Sequence, residues 1–182
     1  MRLKTVSPVS WRTWQRIIIA LVIVLVVAAV AILFFVTQAQ VTAAPTQPLA
    51  FTHQTMVQMG IQCLYCHNTA RESPAAGMPS MAKCMGCHKV VDPNVPVIKE
   101  LTGYWDRQQP IQWVRVNVMP RFVFFSHEVH INNGVNCETC HGDVGHMTVD
   151  HPVVRMNMGW CLDCHEKQPN ASQLMDCVIC HR

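Results

Sequence analysis

The sequence predicts a helical protein with one N-terminal transmembrane helix and a domain of short helices and loops that has little regular secondary structure. Three observations predict it: an uninterrupted apolar stretch near the N-terminus, five copies of the pattern C-x-x-C-H, and an internal repeat that orders those copies. The 182 residues suffice for one ordinary domain and one anchor. Only 14% of them are charged and 50% are hydrophobic, which indicates a membrane-associated protein.

Residues 17–36 form the predicted transmembrane helix. They carry no charged or polar side chain, and at about 1.5 Å per residue they span a hydrocarbon core of roughly 30 Å. A cleaved signal peptide is the alternative, although the apolar cores of such peptides usually run only ~7–15 residues. Segment 37–50 contains Pro45 and Pro48 and predicts a linker, which leaves 51–182 as the working domain.

The charge distribution predicts both topology and partners. Four basic residues precede the apolar stretch, and no charged residue follows it before Arg71. The positive-inside rule then places segment 1–16 in the cytoplasm and the C-terminal domain on the extracytoplasmic side of a bacterial inner membrane. The net charge is +3 and the basic residues form no stripe, so we expect no nucleic-acid partner.

Every cysteine belongs to a C-x-x-C pair, and each pair is followed at once by histidine. The five motifs are CLYCH at 63–67, CMGCH at 84–88, CETCH at 137–141, CLDCH at 161–165 and CVICH at 177–181. The cysteines are Cys63, Cys66, Cys84, Cys87, Cys137, Cys140, Cys161, Cys164, Cys177 and Cys180. The histidines that follow are His67, His88, His141, His165 and His181.

C-x-x-C-H is the attachment signature of c-type haem. Two thiols bond to the two vinyl groups of one porphyrin, and the adjacent histidine supplies the proximal iron ligand. Structural zinc is the alternative use of paired C-x-x-C, but it gives no reason for a histidine at the fifth position each time or for an odd number of pairs. The sequence therefore predicts five covalently bound haem c groups.

An internal repeat groups the motifs into modules. Segment 51–67 aligns with 125–141 at an offset of 74 and matches Phe51 with Phe125, His53 with His127 and Gly60 with Gly134. At an offset of 77, the second motif of each module aligns as well, with a methionine three residues before it. We predict two di-haem modules, at about 51–88 and 125–165, and a fifth haem at 177–181.

The repeat also indicates distal ligands. His53 and His127 begin the same pattern, and His130 follows His127 by three residues, on the same side of a helical turn. Met56 occupies the position of His130 in the first module, and a thioether is the other common axial donor. The remaining distal ligand lies among His146, Met147, His151 and Met158.

About 130 residues that hold five haems leave too little chain for an aliphatic core. The predicted fold class is thus a multihaem cytochrome c, cored by haem and built of short helices and loops, plus the transmembrane helix. Alternation of valine with polar residues also predicts a strand at 113–118.

Segments 50–88 and 110–165 resemble the pentahaem membrane-anchored cytochrome c subunit of bacterial alternative complex III. The resemblance rests on the order and spacing of motifs such as FTHQTMVQMGIQCLYCH and FSHEVHINNGVNCETCH. In that family the positions of Met56 and Asn117 are often histidine, so this chain departs at both. Because the family usually has methionine at the position of Met147, the resemblance favours Met147 as the fifth distal ligand.

The resemblance implies electron transfer without a catalytic site on this chain. The implied partners are multi-span quinol-binding subunits, an iron–sulfur subunit of the molybdopterin type, and an acceptor that is a soluble cytochrome c, a copper protein or an oxidase. Two alternatives stay open: a single-helix quinol dehydrogenase that feeds periplasmic reductases, and a reductase with one open haem iron.

Overall fold

The computed structural model describes residues 10–41 and 43–181. Arg2 and Lys4, on which the predicted topology partly depends, lie outside the described residues. The chain divides into two compact units, Met1–Val41 and Thr42–Arg182.

The first unit contains helix α1, Trp11–Val41. Its part Trp11–Thr37 is long and apolar enough to cross a membrane, and no other helix in the described chain meets that test. The predicted apolar stretch 17–36 lies wholly within it, and its side chains are exposed in the isolated chain. An N-terminal apolar helix that could span a membrane is therefore confirmed.

Over its described residues, 43–181, the second unit consists of nine short helices, two 3-10 turns and connecting loops. The helices are α2 (His53–Gln58), α3 (Cys63–Cys66), α4 (Met81–His88), α5 (Pro96–Asp106), α6 (His127–Asn132), α7 (Glu138–His141), α8 (Met158–His165), α9 (Ala171–Leu174) and α10 (Cys177–Cys180). The 3-10 turns are Asn68–Arg71 and Val144–His146. Within residues 10–41 and 43–181 there is no strand, and the sole β-type pairing is an isolated antiparallel bridge between Val123 and His181. The predicted fold class of short helices and loops is confirmed.

The strand expected at 113–118 is wrong. The backbone of Val114 is held by one side chain instead of a neighbouring strand: the Gln47 amide donates to the Val114 carbonyl at 2.8 Å and accepts from its N–H at 3.0 Å. Trp113 packs against the edge of Phe51 and against the small core, so this face is anchored by an aromatic side chain. A primary amide thus supplies both hydrogen bonds that a partner strand would offer.

Protein atoms alone bury very little apolar surface. In the described chain the buried hydrophobic side chains are Leu49, Ala70, Met85, Ile98 and Leu101. Four of them form one cluster between α4 and α5, with Trp105 and Trp113 packed against it. A domain of this length ordinarily has a larger aliphatic core, so other apolar groups must fill the space around the C-x-x-C-H motifs.

The two predicted modules are built alike. Helices α2 and α6 both begin at the repeated histidine, and each is followed by a glycine with positive φ, Gly60 at 81° and Gly134 at 82°. Helices α4 and α8 both end at a motif histidine and both have a capped N-terminus: the side chain of Ser80 accepts from the Lys83 N–H, and that of Asn157 from the Trp160 N–H. Equivalent sequence positions therefore adopt equivalent local structure.

One helix of each module packs against the other module. Helix α2 packs against the 3-10 turn after the third motif, where the Gln54 N–H donates to the Met147 carbonyl at 3.3 Å. Helix α6 packs against the 3-10 turn after the first motif, where the N–H groups of His127 and Glu128 donate to the carbonyls of Pro74 and Ser73. This reciprocal contact joins the first and third motifs at the centre of the domain.

Candidate functional site

All five C-x-x-C-H motifs lie on helical turns. Helices α3 and α10 are single turns between the two cysteines of a motif, whereas α4, α7 and α8 end at the motif histidine. Residues i and i+3 of a helix share one face, so the two thiols of each motif point the same way. All ten cysteines are free thiols, as attachment to vinyl groups requires.

Three of the predicted distal histidines each face a predicted proximal histidine. The ring centres of His53 and His67 lie 6.3 Å apart with planes at 20°. The corresponding values are 6.2 Å and 7° for His127 and His141, and 6.0 Å and 23° for His130 and His165. The first two pairs are equivalent under the repeat, and the third comes from the next turn of α6.

This spacing matches two imidazoles on opposite sides of one metal ion. Metal–imidazole bonds are about 2 Å long, and a ring radius adds roughly 1 Å on each side, so the centres of two axial rings stand roughly 6 Å apart. In the described part of the chain no three His, Cys, Asp or Glu side chains converge on one point as they would around a directly bound ion. The donors are paired across a gap, which fits an iron held in the plane of a haem.

Hydrogen bonds leave Nε2 free for a metal in three of the six paired imidazoles. The Nδ1 atoms of His67, His127 and His130 lie 2.7–2.8 Å from the carbonyls of Gly77, Pro74 and Ser126. A carbonyl can only accept, so Nδ1 carries the proton and the lone pair lies on Nε2. His165 differs, because its Nδ1 is buried and has no partner within the described chain.

An aromatic ring positions the first distal histidine of each module. Phe51 packs edge-on against His53 at 4.8 Å and 89°, and Phe125 does the same against His127 at 4.9 Å and 88°. Phe125 also lies parallel to the ring of His130 at 4.6 Å. The phenylalanine of the repeated F-x-H pattern thus restricts the rotation of the imidazole that follows it.

His88 and His181 have no such histidine partner among residues 10–41 and 43–181. The Nδ1 of His88 lies 3.3 Å from the Val91 carbonyl, and a cavity of about 430 Å³ adjoins the ring. The Nδ1 of His181 lies 3.4 Å from the Phe122 carbonyl, and the Phe122 ring is nearly parallel to it at 5.8 Å. These are the two motifs that the three histidine pairs leave without a distal donor.

The remaining candidate ligands lie in different surroundings. Met56 is half-buried on α2, one turn after His53. Met147 is half-buried where α2 meets the second 3-10 turn, and its carbonyl accepts from Gln54 and Thr52. His146 is exposed and paired with Asp143 at 2.7 Å, and Met158 is 61% exposed. His151 is half-buried, with its Nδ1 3.2 Å from the Val149 carbonyl.

Thiols of different motifs lie near one another in a single series. Cys84 neighbours Cys66, Cys63 neighbours Cys137, Cys140 neighbours both Cys164 and Cys161, and Cys161 neighbours Cys180. These thiol–thiol interactions link the second motif to the first, the first to the third, the third to the fourth and the fourth to the fifth. Burial, with these neighbours adding to it, raises the pKa of the Cys84 and Cys140 thiols.

Two polar contacts to the histidines were not apparent from sequence. The Asn117 amide lies 3.1 Å from the Nδ1 of His141, and burial lowers the pKa of that imidazole, which favours its neutral, metal-binding form. Both carboxylate oxygens of Asp150 lie 2.9 Å from the Nδ1 of His53. Asp150 stands in a segment that we considered only for its histidines and methionines, and Asn117 stands in the expected strand.

Two comparisons with known proteins bear on the class of this chain. Residues 123–182 match the family model described as cytochrome c7 and related cytochrome c. The fold and the match define the class: the chain is a multihaem cytochrome c with covalently bound haem c. It is also 27% identical over 163 residues, 75% of this chain and 77% of the relative, to the menaquinone reductase multiheme cytochrome c subunit of Nitratidesulfovibrio vulgaris. It is thus an electron-transfer subunit related to a menaquinone reductase subunit.

Proposed function

We propose that this chain is the five-haem subunit of a quinol-oxidising membrane complex of the alternative complex III type. In this role it connects the complex to a soluble cytochrome c, a copper protein or an oxidase outside the cytoplasmic membrane. The three histidine pairs with ring centres 6.0–6.3 Å apart are the observation that carries the proposal. They join histidines 14 to 35 positions apart in sequence at a spacing at which both rings of a pair could hold one iron.

When bound, haem c supplies an iron that takes up and releases one electron. The five C-x-x-C-H motifs of domain 51–182 would hold the haems through their cysteines and the proximal histidines. His53 would be the distal ligand opposite His67, His127 opposite His141, and His130 opposite His165. Met56, one turn after His53, would serve His88, as His130 serves the equivalent motif of the second module.

Met147 is proposed for the fifth site, where the resemblance favours it. Hydrogen bonds to both Gln54 and Thr52 fix its backbone, and its side chain is half-buried. His151 is the strongest competitor, because it is half-buried as well, whereas the other two alternatives are exposed.

The surroundings of the paired ligands suit an electron carrier. Backbone carbonyls fix the ring tautomer, and the repeated phenylalanines restrict ring rotation, so the ligands need not move when the charge of the iron changes. At these three sites two imidazoles would hold the iron, which favours electron transfer over substrate reduction at these sites.

Gentle detergent extraction followed by mass spectrometry of the co-purifying chains tests the proposal. We expect a multi-span quinol-binding subunit and an iron–sulfur subunit in fixed ratio with this chain. Isolation of the chain alone, or with a soluble reductase, would contradict it and favour the single-helix quinol dehydrogenase.

Transfer of electrons toward the quinone is a second candidate, because the relative is named a menaquinone reductase. The two directions are distinguished on the purified complex under anaerobic conditions. Rapid reduction of the haems by a menaquinol analogue supports quinol oxidation. Haems that stay oxidised with menaquinol, but are re-oxidised by menaquinone after chemical reduction, support the reverse direction.

A further inference from the structure

The two repeat-equivalent distal histidines differ in what holds their Nδ1 atom. His127 has a neutral partner, the Pro74 carbonyl at 2.8 Å. His53 has a carboxylate, with both oxygens of Asp150 at 2.9 Å. The sequence patterns around the two histidines are otherwise alike, down to the phenylalanine that packs edge-on against each ring.

The Asp150 contact is shielded from solvent. The side chains of His53 and Asp150 are 27% and 29% exposed. The other histidine–carboxylate pair in the described chain, His146 with Asp143, is 76% and 69% exposed, so water screens most of its interaction. A charge-assisted hydrogen bond in such a shielded place is stronger than one to a neutral carbonyl.

A carboxylate on Nδ1 makes an imidazole a better electron donor through Nε2. The stronger donor stabilises the more positive oxidation state of a bound metal, and this is a known way in which an outer partner changes a metal site.

We propose that Asp150 is a positioning residue that lowers the reduction potential of the haem held by His53 and His67. This potential then lies below that of the equivalent haem held by His127 and His141. The proposal rests on the ligand pairs given under the proposed function. One side chain thereby gives different reduction potentials to two sites that are equivalent under the repeat and lie at the centre of the domain.

Asp150→Asn tests the proposal in the full-length chain within its detergent-solubilised complex. The variant keeps the shape of the side chain and a hydrogen-bonding oxygen but removes the charge. We expect the midpoint potential of one haem to rise by the equivalent of a roughly tenfold change in the ferric–ferrous equilibrium, about 59 mV for one electron. Redox titration followed by visible absorption and by the low-spin ferric signals in electron paramagnetic resonance gives the measurement.

Asp143→Asn is the matched control, because it removes a carboxylate from an exposed histidine and should leave every potential unchanged. Asp150→Glu keeps the charge and should give a smaller rise than Asp150→Asn, which separates the charge from the packing of the side chain. Haem content is determined for each variant, so that the loss of a haem is not mistaken for a shift in its midpoint potential.

Identical titration curves for Asp150→Asn and the unmodified chain, at equal haem content, would overturn the proposal while leaving the bis-histidine assignments intact. An equal shift in Asp143→Asn would also overturn it, since the effect would then be one of net charge alone. If the unmodified protein gave no low-spin signals of bis-histidine haem, the ligand pairs of the proposed function, on which this proposal rests, would be overturned instead.

Discussion

In three of the paired histidines, one ring nitrogen is hydrogen-bonded to the protein and the other remains available to bind a metal. In His67, His127 and His130, Nδ1 is tied to a backbone carbonyl, which leaves Nε2 free to point at a neighbour. The carbonyl partners come from residues 4 to 53 positions away, so the tautomer of each ring depends on the fold as much as on the motif. A methionine has no such second contact, and a site with a methionine ligand is held by packing alone.

Met56→His is expected to lower the potential of one haem. Imidazole donates more strongly than thioether and stabilises ferric iron, so the fall should be on the order of 0.1 V, within the roughly 0.8 V range that axial ligands span. Redox titration of the detergent-solubilised chain measures it, and the charge-transfer absorption of a sulfur–iron bond should weaken by one site.

Met59→His provides the control for that change. Met59 lies three residues after Met56 and is 61% exposed, so the substitution adds the same imidazole where no ligand is proposed. An unchanged titration in Met56→His, or an equal change in Met59→His, would remove Met56 from the ligand set.

Each motif helix is a short segment that contains a single C-x-x-C-H motif or part of one. Helix α4 is the exception in its packing, since Met85 turns into the small cluster with Leu101 and Ile98 of α5. The other motif turns contain no buried residue. The second motif is thus the one that protein packing stabilises most directly.

Leu101→Ala is expected to destabilise the domain by about 2–5 kcal/mol, because Leu101 is only 4% exposed and its removal leaves a cavity beside α4. Val90→Ala is the comparison: Val90 is 79% exposed, and the change should stay within about 0.5 kcal/mol. Guanidinium unfolding followed by haem absorption gives both values. Similar midpoints for the two variants would show that this cluster does not contribute to the stability of the folded domain.

Gly142→Ala is expected to be more harmful than Gly134→Ala. Gly142 follows α7 with φ 70° and ψ −169°, a region that only glycine occupies readily, and an added Cβ would lie 2.7 Å from Cγ1 of Val153. Gly134 also has positive φ, but open space surrounds its Cβ direction. We expect a loss of about 1 kcal/mol at Gly134 and at least about 2 kcal/mol at Gly142, measured by thermal unfolding. Equal losses would contradict the role of Val153.

At the scale of the whole molecule, the five motifs form a row whose order differs from their order in the chain. The second and fifth motifs stand at its ends, and the first and third meet at its centre through the reciprocal contact of α2 and α6. Only five apolar side chains are buried by protein in the described chain, so the bound groups themselves complete the interior. Loss of one group therefore removes part of the core as well as one redox centre.

Denaturing mass spectrometry of the purified chain should give the mass of the 20.5 kDa polypeptide plus five covalent haem groups. Thioether bonds survive denaturation, so the haem number is read directly. The same spectrum should include the residues of α1, as expected for an anchor. Four or fewer haems would contradict the predicted count, and a mass that lacks the N-terminal residues would favour the cleaved signal peptide.

The sequence alone was sufficient for the features that depend on local spacing. The apolar helix, the short-helix fold class and the repeat-equivalent geometry of His53 and His127 all follow from patterns within a few residues. The expected strand does not form, because the backbone of Val114 is hydrogen-bonded by the side chain of Gln47, which lies 67 positions away, and not by a partner strand. Asp150 lies 97 positions from His53 and could not be found for the same reason: no local pattern reports on a contact that folding creates.

The reciprocal contact of the two modules bears on how the protein is made. Helix α2 rests on residues synthesised after the third motif, and the last motif reaches back to bond Phe124 and pair with Val123. Neither half can reach its final form until nearly the whole chain has been translated. Six of the ten thiols are half-covered in the folded domain, so they are more accessible for haem attachment before the two modules meet than afterwards.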